Sequence, residues 1–337
     1  MKKAYIVLAH HRPEQLGRLI GSLDDGQSEF FIHLDRASDR RIFHRELRER
    51  ECWQFVKSEN GGWGRFGIVQ GTLNGLREVV ASGREFDVIN LISGQDYPLR
   101  SNAYINRFFE INRGKIFIEY FPLPAEFLYH RGLDRIHQYH FGDRKRRSRR
   151  KLSQWITRMA NASILFRRRF PNGLSPFSGW QWWSIPMEAV TEILQFVEQR
   201  PDYVRYHRRS LLPDEMFFQT ILLNSGSDSL RRNLVNNCLR FIDWDNPNPI
   251  CPTKLSQKYF GALIESKSLF ARKFDVDFDP LILDQLDAFR AEEEKRLSAP
   301  DAAQGAGLDF SRGLDYPRSA ASRDTKKDLF AQLHPLS

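Results

Sequence analysis

Two adjacent carboxylates, Asp214 and Glu215, open the stretch LLPDEMFFQTILLNS (211–225), which is otherwise almost wholly apolar. Pro213 before them suits the first turn of a helix, where its missing N–H would be unpaired in any case. Acids in that turn face the positive end of the helix dipole. The pair therefore reads in two ways. It is a good helix start, or one of the acids is held at the rim of a pocket to take a proton, as a general base does from a hydroxyl within hydrogen-bonding reach. Other sets of reactive residues support less chemistry. Cys52, Cys238 and Cys251 are far apart and form no C-x-x-C, so neither a zinc site nor a disulfide framework is expected. His130, His137 and His140 have a ligand-like spacing, but no carboxylate or cysteine completes a metal set, and Arg135 and His140 read as packing or acceptor-side groups.

The elements that would position such residues follow from composition and periodicity. Hydrophobic residues are 41% and aromatics 13% of 337 residues, enough for a packed core and too much for a disordered chain. AYIVLA (4–9) is a continuous apolar run, fit for a strand buried on both faces. Pro13 starts a helix with Leu16, Leu19, Ile20 and Leu23 on one face, and EFFIHLD (29–35) and WQFVK (53–57) follow as strands. Helical spacing runs from Ile68 to Val80, FDVINLIS (86–93) and KIFIEY (115–120) are strands, and a helix carries Val190, Ile193, Leu194 and Val197. Alternation of this kind predicts an α/β fold with a mostly parallel central sheet and flanking helices. Ligands of such sheets lie beyond the carboxyl ends of the strands, here the loops AHHRP, HLDR, NGGWGR and SGQDY. No G-x-G-x-x-G and no phosphate-loop motif is present, which argues against dinucleotide-dependent dehydrogenases and P-loop nucleotidases.

Charge adds a partner class. The net charge of +9 favours polyanions, and RKRRSRRK (144–151) gathers seven basic residues in eight positions, with RRR following at 167–169. Such a run suits an anionic membrane surface or nucleic acid. A single loop-like run, outside any nucleic-acid-binding motif, argues against the second. The N-terminus MKKAYIVLAHH is too short in apolar residues to span a membrane, so the expectation is a cytoplasmic protein that touches the inner membrane face peripherally.

Taken in order, IVLAHHRP, FFIHLDR, GGWGRFG, INLISGQDYPLRS, FSGWQWWSI, LLPDEMFFQTILLNS, LRFIDW and LFARKFD resemble one family across about residues 4–278. It is glycosyltransferase family 14, the core-2/I-branching β-1,6-N-acetylglucosaminyltransferases and peptide O-xylosyltransferases. DYPLRS, FFQTILLNS and FARKF look closer to the xylosyltransferase branch. The resemblance implies a GT-A-type fold and inverting transfer of xylose or N-acetylglucosamine from a UDP-sugar to a hydroxyl of a glycan or glycopeptide. The catalytic domain is expected at 1–290, with a nucleotide-binding half to about 120 and an acceptor half after it, and the C-terminal stretch, poor in apolar residues, reads as a flexible tail at 291–337.

Residue by residue, the resemblance makes Glu215 the base and leaves Asp214 as the helix cap. Arg272 and Lys273 would bind the diphosphate, with Lys254 as a second cation and Cys251 contributing its backbone. Ala9 and His10 would line the uridine slot, Asp35 would contact the nucleoside, and Gly62 and Trp63 would shape the wall. Gln181 and Trp182 match donor-sugar contacts, and Asp96 organises the site. SGQDYPL stands where metal-using GT-A enzymes carry Asp-x-Asp but has a single acid, while Asp243-Trp-Asp245 and DVDFD (275–279) lie elsewhere in the order. No metal and no cofactor beyond the UDP-sugar donor is expected. The absence of a signal anchor and the few cysteines depart from the family's eukaryotic members. The alternatives are a basic nucleic-acid binder and a sugar-binding member that has lost transfer.

Overall fold

The computed structural model describes residues 1–48, 51–141, 155–162, 167–244 and 251–298. The basic run 144–151, Asp245 and the chain beyond 298 lie outside the described residues. The strands in chain order are β1 (Lys3–Ala9), β2 (Ser28–Leu34), β3 (Trp53–Phe55), β4 (Val88–Ser93), β5 (Asp96–Pro98) and β6 (Ile116–Ile118). They continue as β7 (Phe121–Pro122), β8 (Phe177–Ser178), β9 (Trp183–Ile185), β10 (Leu234–Val235), β11 (Arg240–Ile242) and β12 (Phe270–Arg272).

Among the described residues, seven strands form the central sheet in the order β10-β6-β9-β4-β1-β2-β3. β1 pairs in parallel with both β2 and β4, β2 with β3, and β6 with β10. β9 runs antiparallel between β4 and β6. The sheet is thus mixed and mostly parallel, with helices on both faces, which is the α/β architecture read from the sequence.

The alternation along β1 sorts the core. Tyr5, Val7 and Ala9 join Leu16, Leu19, Ile20 and Leu23 of helix Pro13–Leu23, together with Ile282, Leu283 and Leu286 of helix Leu281–Ser298. Ala4 and Ile6 face the other side, with Val69, Leu73 and Leu76 of helix Phe66–Ala81 and Val190 and Ile193 of helix Met187–Gln199. Close approach on this side needs small residues. A Cβ on Gly75 would stand 2.7 Å from Ile6, and one on Gly71 would stand 2.6 Å from the His33 ring.

Three sequence expectations are corrected. The boundary at 290 falls inside helix Leu281–Ser298, where Arg290 and Glu293 are buried. Glu293 accepts the Ser101 N–H at 2.6 Å and pairs with Arg100, so charged residues that read as a tail are structural. LLPDEMFFQTILLNS is not one helix. A 3-10 turn, Pro213–Glu215, is separated from helix Phe217–Leu223 by Met216 in a non-helical conformation. Arg168, expected on a basic surface, is buried and donates to the carbonyls of Gln138 and Arg209. Among the described residues no helix is long and apolar enough to cross a membrane.

Candidate active site

The loops at the carboxyl ends of β1, β2 and β4 converge with two further elements. The first wall begins at Ala9, whose carbonyl accepts the Asp35 N–H at 2.9 Å. The next carbonyl, that of His10, accepts the Ser38 hydroxyl at 2.7 Å, and the His10 ring stacks on His11 at 4.0 Å. Asp35 accepts the Ala37 N–H at 2.9 Å and the Gly61 N–H at 2.8 Å. It therefore holds the glycine loop that carries Gly62 and the half-exposed Trp63. A Cβ on Gly61 would stand 2.9 Å from the Asp35 carboxylate and would push that side chain aside.

The second wall is the three-stranded sheet β11-β12-β5. Antiparallel register sets Asp96 opposite Arg272, and the two side chains pair at 3.4 Å. Asp96 is fully buried and also accepts the Ser93 N–H and hydroxyl. The Arg272 guanidinium lies 4.0 Å over the ring of the buried Trp182. Burial pulls the Arg272 pKa down and the Asp96 charge opposes that pull. Arg240, buried in the same sheet, donates to the carbonyls of Cys238 and Leu91, and the Asp96 charge also opposes the pull of burial on the Arg240 pKa. Lys273 follows at the strand end, with its pKa lowered by burial and, further, by Arg272 and Lys254. Cys251 is half-buried near Arg272 and Lys273. Lys254 pairs with Asp275 at 2.7 Å, a carboxylate that Arg12 also reaches, so this cation is already matched.

Sequence reading missed the residue that ties the two walls together. Gln15, fully buried on the helix after β1, donates to the carbonyls of Gly94 and Phe274 and accepts the Val276 N–H. Its signal was a polar side chain next to the apolar face of that helix.

The third element carries the carboxylate pair. Glu215 receives a charge-assisted hydrogen bond from Arg135 at 2.9 Å, and that guanidinium is 1% exposed. Arg135 also donates to the Ser178 hydroxyl at 3.1 Å. The Glu215 carbonyl is drawn sideways to the Ser178 hydroxyl and the Gly179 N–H, at 3.0 and 2.9 Å. That diversion is why the helix starts only after Met216. Gly179 is forced, since a Cβ there would lie 1.8 Å from the Glu119 carbonyl. Trp180 comes next, stacked on Trp244 at 4.9 Å, and the Gln181 side-chain amide nitrogen is a buried donor with no partner among the described residues.

Asp214 is not the cap that was expected. No side chain caps its turn, and Asp214 Oδ1 has no hydrogen-bond partner among the described residues. Burial, and then the charge of Glu215, push its pKa up to about 7. His207, buried against Phe170, Tyr203 and Phe217, is shifted the opposite way, down to about 3 by burial.

These two shifts make a stability prediction. Folded Asp214 keeps its proton up to about pH 7 while the unfolded chain releases it near 3.8, so its contribution falls as pH rises through that window. Folded His207 stays neutral while the unfolded chain protonates it below 6.5, so its contribution falls as pH drops from 6.5 through about 3. The slopes oppose each other between about pH 4 and 6.5. Asp214→Asn should therefore unmask a loss of stability on acidification, and His207→Phe a loss on alkalinisation, each about 1.4 kcal/mol per pH unit in urea unfolding. Identical slopes in both variants would refute the assignment.

Among the described residues no group of three or more His, Cys, Asp and Glu side chains is gathered where it could hold an ion. Asp243 accepts the Tyr259 hydroxyl at 2.7 Å, Asp279 accepts the Gln257 and Leu281 N–H groups, and His137 and His140 face main-chain carbonyls.

Comparison with known proteins gives the site its context. Human xylosyltransferase 2 is 26% identical over 318 residues, 84% of this chain, and the chain spans 33% of that protein's length. A bovine β-1,3-galactosyl-O-glycosyl-glycoprotein β-1,6-N-acetylglucosaminyltransferase is 24% identical, over 84% of this chain and 68% of its own length. The apo crystal structure of mouse xyloside xylosyltransferase 1 aligns with a TM-score of 0.33 and 12% identity, covering 80% of this chain and 97% of that one. A likeness at that score carries no argument about chemistry. The model of the Core-2/I-branching enzyme family matches residues 3–264, most of the length, and the chain belongs to that family.

Proposed function

We propose that the chain is a glycosyltransferase that moves xylose or N-acetylglucosamine from a UDP-sugar to a hydroxyl of a glycan or glycopeptide, with inversion and without a metal ion. The observation that carries this reading is the Glu215 carboxylate, fixed by a buried guanidinium at 2.9 Å on a turn whose carbonyl is pinned from the side. Glu215 takes the acceptor's hydroxyl proton as that oxygen attacks the anomeric carbon, and the bond from the carbon to the diphosphate oxygen breaks. Asp214, which burial and its neighbour's charge keep protonated toward neutral pH, adds no second charge to the pair.

Arg272 and Lys273 stabilise the charge that develops on the departing diphosphate, as preorganised donors do. The unpartnered Gln181 amide serves the donor sugar, with Trp182 holding Arg272 from behind. Ala9, His10 and the Asp35-held loop with Gly62 and Trp63 receive the uridine, while the Cys251 backbone and Lys254 flank the diphosphate. Asp243, Asp275 and Asp279 are committed to Tyr259, to Lys254 and Arg12, and to main-chain N–H groups. EDTA should therefore change transfer by no more than roughly twofold, because fixed cations supply what a divalent ion would. Abolition by EDTA with rescue by Mn²⁺ would overturn that.

The whole reading is tested by UDP release from a panel of UDP-sugars, with and without glycan and peptide acceptors. UDP-xylose or UDP-N-acetylglucosamine should be consumed. Thermal stabilisation by UDP without turnover of any donor would instead indicate a sugar-nucleotide binder.

A further inference from the structure

Helix 155–161 turns its polar side inward and its apolar side outward. Thr157 and Asn161, one turn apart, face the protein. The Thr157 hydroxyl accepts the Phe141 N–H at 3.2 Å, and the Asn161 side chain exchanges two hydrogen bonds with the Tyr139 backbone at 2.9 Å. The opposite side carries Trp155 at 59% exposure and Met159 at 55%, also one turn apart, with Ile156 at 37% beside them. Large apolar side chains on a helix whose polar groups are spent inward mark an interaction surface. The chemistry next to it is cationic. Arg158 is exposed on the same helix, and in sequence RKRRSRRK, outside the described residues, ends four residues before Trp155.

We propose that this face is a peripheral membrane-docking surface that inserts Trp155, Ile156 and Met159 into the headgroup region of an anionic bilayer. Apolar insertion and a polybasic segment are the two signals that stable peripheral binding needs together. Tryptophan and methionine suit that depth, since one end of the indole is polar and the thioether is adaptable. A polyanion such as nucleic acid would use the basic run but has no need of three outward apolar side chains. The surface is also linked to the candidate site. Phe141, which donates to Thr157, accepts at its carbonyl a hydrogen bond from Arg65 at 3.4 Å, and Arg65 belongs to the glycine loop with Gly62 and Trp63. Docking through helix 155–161 therefore sets that rim close to the lipid surface.

The test is flotation of the full chain with vesicles of phosphatidylcholine alone or with phosphatidylserine added, at low and high salt. Wild type should float with the anionic vesicles only, and less at high salt. Trp155→Ser/Met159→Ser should lower partitioning at least about tenfold, the weight of burying two large apolar side chains, with an unchanged melting temperature and UDP-sugar turnover. Replacing the basic residues at 144–151 with glutamine should separately abolish the preference for anionic lipid. Equal flotation on neutral and anionic vesicles, or a serine variant that floats like wild type, overturns the proposal. So does a wild-type dimer that the serine variant turns into a monomer, which would make a second copy the occupant. Binding of duplex DNA in place of vesicles overturns it as well.

Discussion

Glu215→Gln is expected to lower turnover by about 10²–10⁴, the usual worth of a positioned general base, which corresponds to about 3–5 kcal/mol of barrier. UDP affinity should stay near the wild-type value, because the proposed reading gives the nucleotide to Ala9, His10 and the Asp35-held loop and not to the Glu215 carboxylate. Glutamine keeps an oxygen for the Arg135 hydrogen bond at 2.9 Å but removes the charge that compensates a guanidinium only 1% exposed. Some loss of stability accompanies the substitution for that reason, since a buried charge without its partner is destabilising. A melting curve and a UDP titration on the same preparation separate this from the catalytic loss. Near-normal turnover would move the base elsewhere, with Asp214 and then Asp96 as the remaining carboxylates. Asp214→Asn distinguishes them. With Glu215 as the base, that variant keeps most of its activity while its pH-stability profile changes.

Lys273→Ala is the second large effect. Loss of one preorganised charge donor at the diphosphate should raise the barrier by about 2–4 kcal/mol in kcat/KM with little change in stability. The neighbouring Arg272 is not an equivalent target. Its guanidinium pairs with the fully buried Asp96 at 3.4 Å and covers Trp182, so Arg272→Ala leaves a buried carboxylate with fewer compensating partners. That variant should lose folding stability as well as activity, by about 3–5 kcal/mol when a buried pair is broken. A Lys273→Ala enzyme with wild-type kcat/KM would remove the diphosphate role. A drop in its melting temperature as large as that of Arg272→Ala would make the lysine structural.

Local pattern made the scaffold legible. The apolar run at 4–9 reads as a strand covered on both faces, and the spacing of Leu16, Leu19, Ile20 and Leu23 reads as a buried helical stripe, and both form as read. Once the sheet was expected to be parallel, the loops at its carboxyl ends followed. Contacts between distant segments were not legible. Nothing near Asp96 in the sequence indicates the strand register that sets it against Arg272, and nothing near Glu215 indicates the guanidinium of Arg135. The helix start misled for a physical reason. Leu212 adopts a left-handed conformation with its N–H bonded to the Gly64 carbonyl, and the Glu215 carbonyl goes to Ser178 and Gly179, so tertiary bonds interrupt what propensity favours. Charge misled in the same way. Arg168, Arg290 and Glu293 look solvated in sequence, yet the fold buries all three against carbonyls or opposite charges.

The most direct test of single displacement driven by Glu215 is the anomer first released from a UDP-α-sugar without acceptor, followed by proton NMR before mutarotation. The expected result is β-sugar from wild type and none above background from Glu215→Gln. α-Sugar from wild type, or β-sugar formed as fast by the variant, would contradict it.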